Sequence, residues 1–235
     1  MKKLLTFILT CFLSLSLAGC SHSKNNDDIL TFFNALDNTL NLKSAQINGI
    51  LTMKDSKLNI NAQILQKHDL QVASSIGLVA GKNVQNNFLN FYIKDGKTYL
   101  NSMGTKTQST VDKIGLKKNS KLNAYNPFLD LTDDQLCELF DSSKKEDNNY
   151  TFKVNTSKLA TLLDNMGSVK LDHATLVATI KNEKISHMIL SFTGTQTVDD
   201  ASADIDVSLK LNIKNLKKIN FPNDLEEYKK ETAED

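Results

Sequence analysis

The chain has 235 residues, 40% hydrophobic and 23% charged, with 28 basic against 27 acidic side chains. Every basic side chain is lysine, and arginine and tryptophan are both absent. The balance is ordinary for a globular protein. With neither a basic excess nor the guanidinium fork that grips phosphate in two places, it argues against a nucleic-acid partner.

Lys2 and Lys3 open the chain, an apolar run fills residues 4–17, and Leu17-Ala18-Gly19-Cys20 follows. A basic start, a short apolar stretch and small residues at a cut are the parts of a secretory signal. The run is shorter than the about 20 residues that a bilayer core requires. A cysteine directly after Ala18-Gly19 is what a bacterial lipoprotein signal looks like. There the cut falls between Gly19 and Cys20, and the Cys20 thiol carries a diacylglycerol. One acyl chain holds a protein to a membrane only marginally, whereas two hold it stably. The expectation is a signal over 1–19, a lipidated cysteine and tether over 20–27, and a protein anchored on the outer face of the cell membrane. Losing Lys2 and Lys3 takes the formal net charge from +1 to −1. Cys11 leaves with the signal, and Cys20 becomes a thioether. Cys137 then has no partner for a disulfide within the mature domain.

A single domain is expected over 28–228, with a charged, frayed tail over 229–235. Ile29, Phe33, Leu36 and Leu40 recur at helical spacing, with Asp27 and Asp28 at the start of the helix. From Ala45 the period becomes two. Five short strands are expected between there and Asn101, separated by Asp55-Ser56, His68-Asp69, Gly81-Lys82-Asn83 and the hairpin signal Asp95-Gly96. Residues 102–125 are polar and lysine-rich and read as a long irregular segment, a functional loop, a lid or a disordered stretch, with a short helix left open. Thr132 with Gln135 forms a capping box. Behind it Leu136, Leu139 and Phe140 make an apolar face, and Lys144 and Lys145 suit a helix C-terminus. A strand follows over 150–154, then a helix capped by Asn155 or Thr156, with Leu159, Leu162, Leu163 and Met166 on one face and Gly167 as its stop. Long strands are expected over 168–181, 184–193 and 203–214, and a short closing edge over 219–222.

The expected fold class is α+β: a large curved antiparallel sheet, a half-barrel, with about three helices on its concave side. Roughly nine strands about 4.8 Å apart make a sheet about 43 Å wide, with an apolar face on the order of 1,300 Å². Three helices about 21 Å long and 10 Å wide shield only about 600 Å². Apolar side chains such as Leu51, Ile60, Ile64, Ile76, Val207 and Leu209 are therefore candidates to line a cavity.

An anchored chain with an N-terminal helix, a meander, helices and then long strands closing on Phe221-Pro222 resembles the lipoprotein-carrier fold. That group includes LolA and the mycobacterial lipid-binding lipoproteins of the LppX and LprG type, and the chain also looks like the lipoproteins of low-GC Gram-positive bacteria. The segment Tyr92-Ile93-Lys94-Asp95-Gly96-Lys97-Thr98-Tyr99-Leu100 is similar to a hairpin common in those families. The resemblance implies a half-barrel with helices in its mouth, an apolar cavity for acyl chains and no catalytic residue. LolA uses an arginine, which this chain lacks, so lipoprotein shuttling is not the expectation.

No constellation points to an enzyme, a metal or another cofactor. His173 and His187 read as packing or surface histidines, because a zinc site needs more ligands. Cys137, beside Leu136, reads as a buried inert thiol. Asp199, Asp200, Asp204 and Asp206 lack the glycine and terminal glutamate of a calcium loop and read as a solvated acidic hairpin. Two functions remain open. One is an anchored protein holding a lipid or other hydrophobic ligand. The other is a surface interaction or structural lipoprotein with a filled core.

Overall fold

In the computed structural model the described residues are 25–163, 168–198 and 201–230. Cys20, Met166, Gly167, Asp199 and Asp200 lie outside them, as does the last part of the tail. The described residues form twelve strands and three α-helices, an α+β fold. The strand order is β12-β6-β5-β4-β3-β2-β1-β11-β10-β9-β8-β7, so β12 and β7 are the edges and the sheet is open. By their packing the described residues divide into two compact units: 25–40 with 125–210, and 41–124 with 211–230.

The first unit is built on helix α1 (Asn26–Leu40), which buries Ile29, Phe32, Phe33, Ala35 and Leu36 on one face. Its strands are β7 (Phe140–Glu146), β8 (Asn149–Val154), β9 (Ser168–Lys181), β10 (Lys184–Val198) and most of β11 (Ala201–Lys214). Alternation in β8 turns Tyr150, Phe152 and Val154 inward and leaves Thr151 and Lys153 exposed. The register carries this face across the sheet: Phe152 lies opposite Leu176, Leu176 opposite Leu190, and Ala174 opposite Phe192. The last turn of α1 is tied to the β9–β10 hairpin. Asn38 Nδ2 donates to Glu183 O at 3.1 Å, and Thr39 Oγ1 accepts from Ile185 N at 2.9 Å. Asn182 and Glu183 both have positive φ (50° and 58°), the left-handed pair that a two-residue hairpin needs.

Two short helices complete this unit. Helix α2 (Asp133–Cys137) starts at the expected capping box. Gln135 N donates to Thr132 Oγ1 at 3.3 Å, and Thr132 N donates to Gln135 Oε1 at 2.9 Å. Helix α3 (Thr156–Leu163) is capped by Asn155, whose Oδ1 accepts from Lys158 N at 3.0 Å. The expected continuation of α2 to Lys144 and Lys145 is wrong, because Phe140–Glu146 is strand β7, paired with β8. The open ladder of β8 and the aromatic cluster that receives Phe140 outweigh a local helical pattern only one turn long.

The second unit is a meander of β1 (Ser44–Met53), β2 (Ser56–Leu65), β3 (Gln71–Ala80), β4 (Asn83–Lys94), β5 (Lys97–Ser102) and β6 (Thr105–Thr110). Asp95 and Gly96 have φ of 54° and 78° and close the expected hairpin. Residues 102–125 are more ordered than their polarity suggests. They hold β6 and two 3-10 turns, Val111–Ile114 and Leu122–Tyr125. The closing edge expected over 219–222 is not a strand. Instead Asn220 N donates to Gln63 Oε1 at 2.8 Å, and the chain runs on to β12 (Lys229–Lys230), parallel to β6.

Candidate functional site

The register of the second unit sorts its side chains onto two faces. Leu51 lies opposite Leu58, Gly49 opposite Ile60, Ile60 opposite Ile76, and Ile64 opposite both Ala45 and Val72. Four of the candidate lining residues, Leu51, Ile60, Ile64 and Ile76, therefore share one apolar face. Leu51, Ile64 and Ile76 are buried on it, and Ile60 between them is half-buried. At one end the face is roofed by the segment that follows β6. Val111 joins Ile64, Leu70 and Ile93 in a buried cluster, with Leu116 and Leu122 against it. The cover over Ile64 and Ile93 is an irregular segment with a 3-10 turn, not one of the α-helices.

That roof is pinned by polar contacts. Leu70 N donates to Lys118 O at 2.8 Å, and Lys118 Nζ lies 3.0 Å from Asp69. Lys121 Nζ donates to Gln66 O, Lys67 O and His68 O at 2.5, 3.2 and 3.4 Å. The buried Gln66 amide joins both sides, donating to Leu42 O at 2.7 Å and accepting from Leu122 N at 2.8 Å. No hydrophobic pattern marks Gln66 or Lys121. Their role comes from the fold, which brings residues 66–70 and 116–122 together.

The opposite face of the second unit is polar, with Asn48 Oδ1 accepting from Asn61 Nδ2 at 2.7 Å. Toward its β6 edge it is covered by the C-terminal segment. Tyr99, Leu225 and Tyr228 are buried together, with Tyr92 and Phe221 beside them. Lys106 Nζ ties this segment down, 2.6 Å from Asp224 and 3.1 Å from Glu227. The hydrogen bonds to those two carboxylates, Asp224 first, hold the Lys106 ammonium well above its usual range. Burial pushes the Tyr228 hydroxyl up to about 12, with Tyr92 and Asp224 adding to the rise. The start of the tail expected to fray over 229–235 is ordered at Lys229 and Lys230, which pair with β6 directly after the seated Tyr228.

In the first unit the candidates Val207 and Leu209 lie on β11. Ser191 Oγ donates to Ser208 Oγ at 3.1 Å, so these two serines share a face. Val207 and Leu209 then lie on the other face, that of Leu190 and Phe192, because side chains alternate along a strand. On β9 that inner face is filled: Leu171, Ala174, Leu176, Ala178 and Ile180 are all buried. On β11 it is not, since Ile205, Val207 and Leu209 are only half-buried.

No family model and no curated protein matches this sequence. Among solved structures the chain is similar to LprF from Mycobacterium bovis. The identity is 10% and the TM-score 0.43, over 86% of this chain and 99% of that one.

The residues weighed for chemistry do not converge. His173 is exposed and pairs with Thr193, whereas His187 pairs with Thr179, so the β9–β10 register keeps the two imidazoles apart. Cys137 is buried on α2 and is not in a disulfide. Asp204 and Asp206 are exposed on β11. Among the described residues no group of three or more His, Cys, Asp or Glu is placed to hold a metal. Among the same residues no helix is long and apolar enough to cross a membrane.

Proposed function

We propose that this chain is a lipoprotein, anchored through Cys20 on the outer face of the cell membrane, that holds a lipid or other hydrophobic ligand against the apolar face of its strands. The observation that carries the ligand is the row on β11. Three apolar side chains of the first unit, Ile205, Val207 and Leu209, alternate along β11, and all three stay half-buried, while the equivalent row on β9 is fully buried. Apolar surface left partly in water costs about 25 cal/mol per Å², and a seated acyl chain would recover part of that. The anchor is supported by Lys2, Lys3, the apolar run and Leu17-Ala18-Gly19-Cys20.

The test is extraction. Protein beginning at Ser21, purified without detergent, is expected to carry lipid detectable by native mass spectrometry. Leu209→Lys is expected to strip that lipid while leaving the far-ultraviolet circular dichroism unchanged. A charge placed in a filled core would instead unfold the protein. If the wild type carries no lipid, binds no apolar fluorophore and is unfolded by Leu209→Lys, the ligand reading falls. The chain is then a surface interaction lipoprotein with a filled core.

A further inference from the structure

The strand register of the second unit gathers separate segments at one pole. Ser44 is opposite Leu65, Leu65 opposite Gln71, Lys94 opposite Lys97, and Lys97 opposite Thr110. The start of β1, the β2–β3 and β4–β5 turns and the segment after β6 therefore lie at the same end. Ser44 Oγ donates to Leu216 O at 2.8 Å, which brings residues 214–218 there as well.

The charge on these segments is one-sided. Lys43, Lys67 and Lys97 stand at the strand ends and turns, with Lys94 beside them over the Phe221 ring. Lys214 ends β11, and Lys217 and Lys218 follow it. The roof adds Lys113, Lys117, Lys118 and Lys121. The acids on the same segments are Asp69, Asp95 and Asp112. Eleven lysines thus meet three aspartates at one pole of a chain whose formal charge is +1. Lys118 and Lys121 are engaged in pinning the roof, but Lys43, Lys67, Lys97, Lys113, Lys117, Lys214, Lys217 and Lys218 are exposed.

One apolar side chain breaks this surface. Ile114 is 42% exposed, at the end of the 3-10 turn that Gly115 closes in a left-handed conformation (φ 77°). It sits between Lys113 and Lys117. An apolar tip flanked by lysines matches a bilayer interface, where methyl groups enter the headgroup layer and ammonium groups stay at the phosphates. Lysines near an anionic leaflet each strengthen binding, by roughly fivefold within a Debye length of the surface.

We propose that this lysine pole docks on the anionic surface of a bilayer, with Ile114 entering the headgroup layer between Lys113 and Lys117. The proposal rests on the lipoprotein reading for the presence of a bilayer within reach; its own chemistry is that of the pole. Docking would set the roof over Ile64 and Ile93 against a source of acyl chains.

The test uses the full chain carrying Ile114→Cys labelled with an environment-sensitive fluorophore; Cys137 is buried and spared. The protein is reconstituted into vesicles of phosphatidylcholine alone, or with about a third phosphatidylglycerol. The expected result is a blue-shifted emission, quenched by brominated lipid, in the anionic vesicles only. Molar salt should reverse it, and the exposed pair Lys113→Glu/Lys117→Glu should weaken it at least tenfold with circular dichroism unchanged. Equal spectra in both vesicles, or an unaltered signal in the charge-reversed pair, would overturn the proposal. So would a probe that leaves the lipid for soluble polyglutamate, which would point to an acidic protein instead. Flotation separates this from the anchor. If anchoring fails, the chain floats with anionic vesicles alone; if docking fails, it floats with both and the probe stays in water.

Discussion

Phe152 is wholly buried, with ring centroids 4.7 Å from Phe140, 5.3 Å from Phe32 and 6.3 Å from Tyr150. Aromatic pairs at such spacings add to the burial itself, and a close-packed surround relaxes only in part around a deletion. Phe152→Ala is expected to cost about 3–5 kcal/mol, read from urea unfolding. At the other end of the chain, Tyr228 is buried against Tyr99 and Tyr92, at 5.6 and 6.5 Å between ring centroids. Its hydroxyl titrates near 12 in the folded chain rather than near 10. The folded state therefore keeps the proton longer than the unfolded state does, and stability drains as pH climbs from about 10 to about 12. Raised values at Tyr92 and Tyr99, also from burial first, act in the same direction. A late step in the tyrosinate absorbance, smaller in Tyr228→Phe, checks this, and the mutant should lose less of its melting temperature across that window. None of these pairings was visible in the sequence, where Tyr228 sits in a run of charges.

At the scale of elements, local chemistry decided starts and turns, and tertiary contacts decided where elements stop. Thr132 with Gln135 and the Asp95-Gly96 hairpin were legible because cap and turn depend on neighbouring residues alone. The short end of α2 was not, because β7 exists only when β8 lies beside it. Gly194 is a second case. It stands at a register shift between β9 and β10, where a Cβ would come within 2.1 Å of Lys170 O and 2.9 Å of Leu171 Cα. Backbone atoms cannot give way as a flexible side chain can. Gly194→Ala is expected to destabilise by about 1–3 kcal/mol through overpacking, measured by thermal unfolding. In the sequence that glycine is an unremarked residue in a Thr-rich strand.

For the whole molecule, location and fold were read from different kinds of information. The proposed signal and lipidated Cys20 would be a linear code, and their test is fractionation. Cys20→Ser should release the mature domain from the membrane fraction or leave an uncleaved precursor held by its signal. A processed, membrane-bound form recovered from the mutant would sink the anchor. The α+β class and most strands were legible because period-two alternation and hairpin turns repeat along the chain, and each depends on near neighbours. The alternation also placed Leu51, Ile60, Ile64 and Ile76 on one face, and Val207 with Leu209 on one side of β11. What only the tertiary structure decided was the pairing of distant segments. It roofed one end of an apolar face with Val111, Leu116 and Leu122, seated Tyr228 beside Tyr99, and left β11 half-covered where β9 is filled. It also drew lysines from residues 43 to 218 to one pole. Charge and burial are properties of a surface, and separations of up to 175 residues along the chain vanish when strand ends meet.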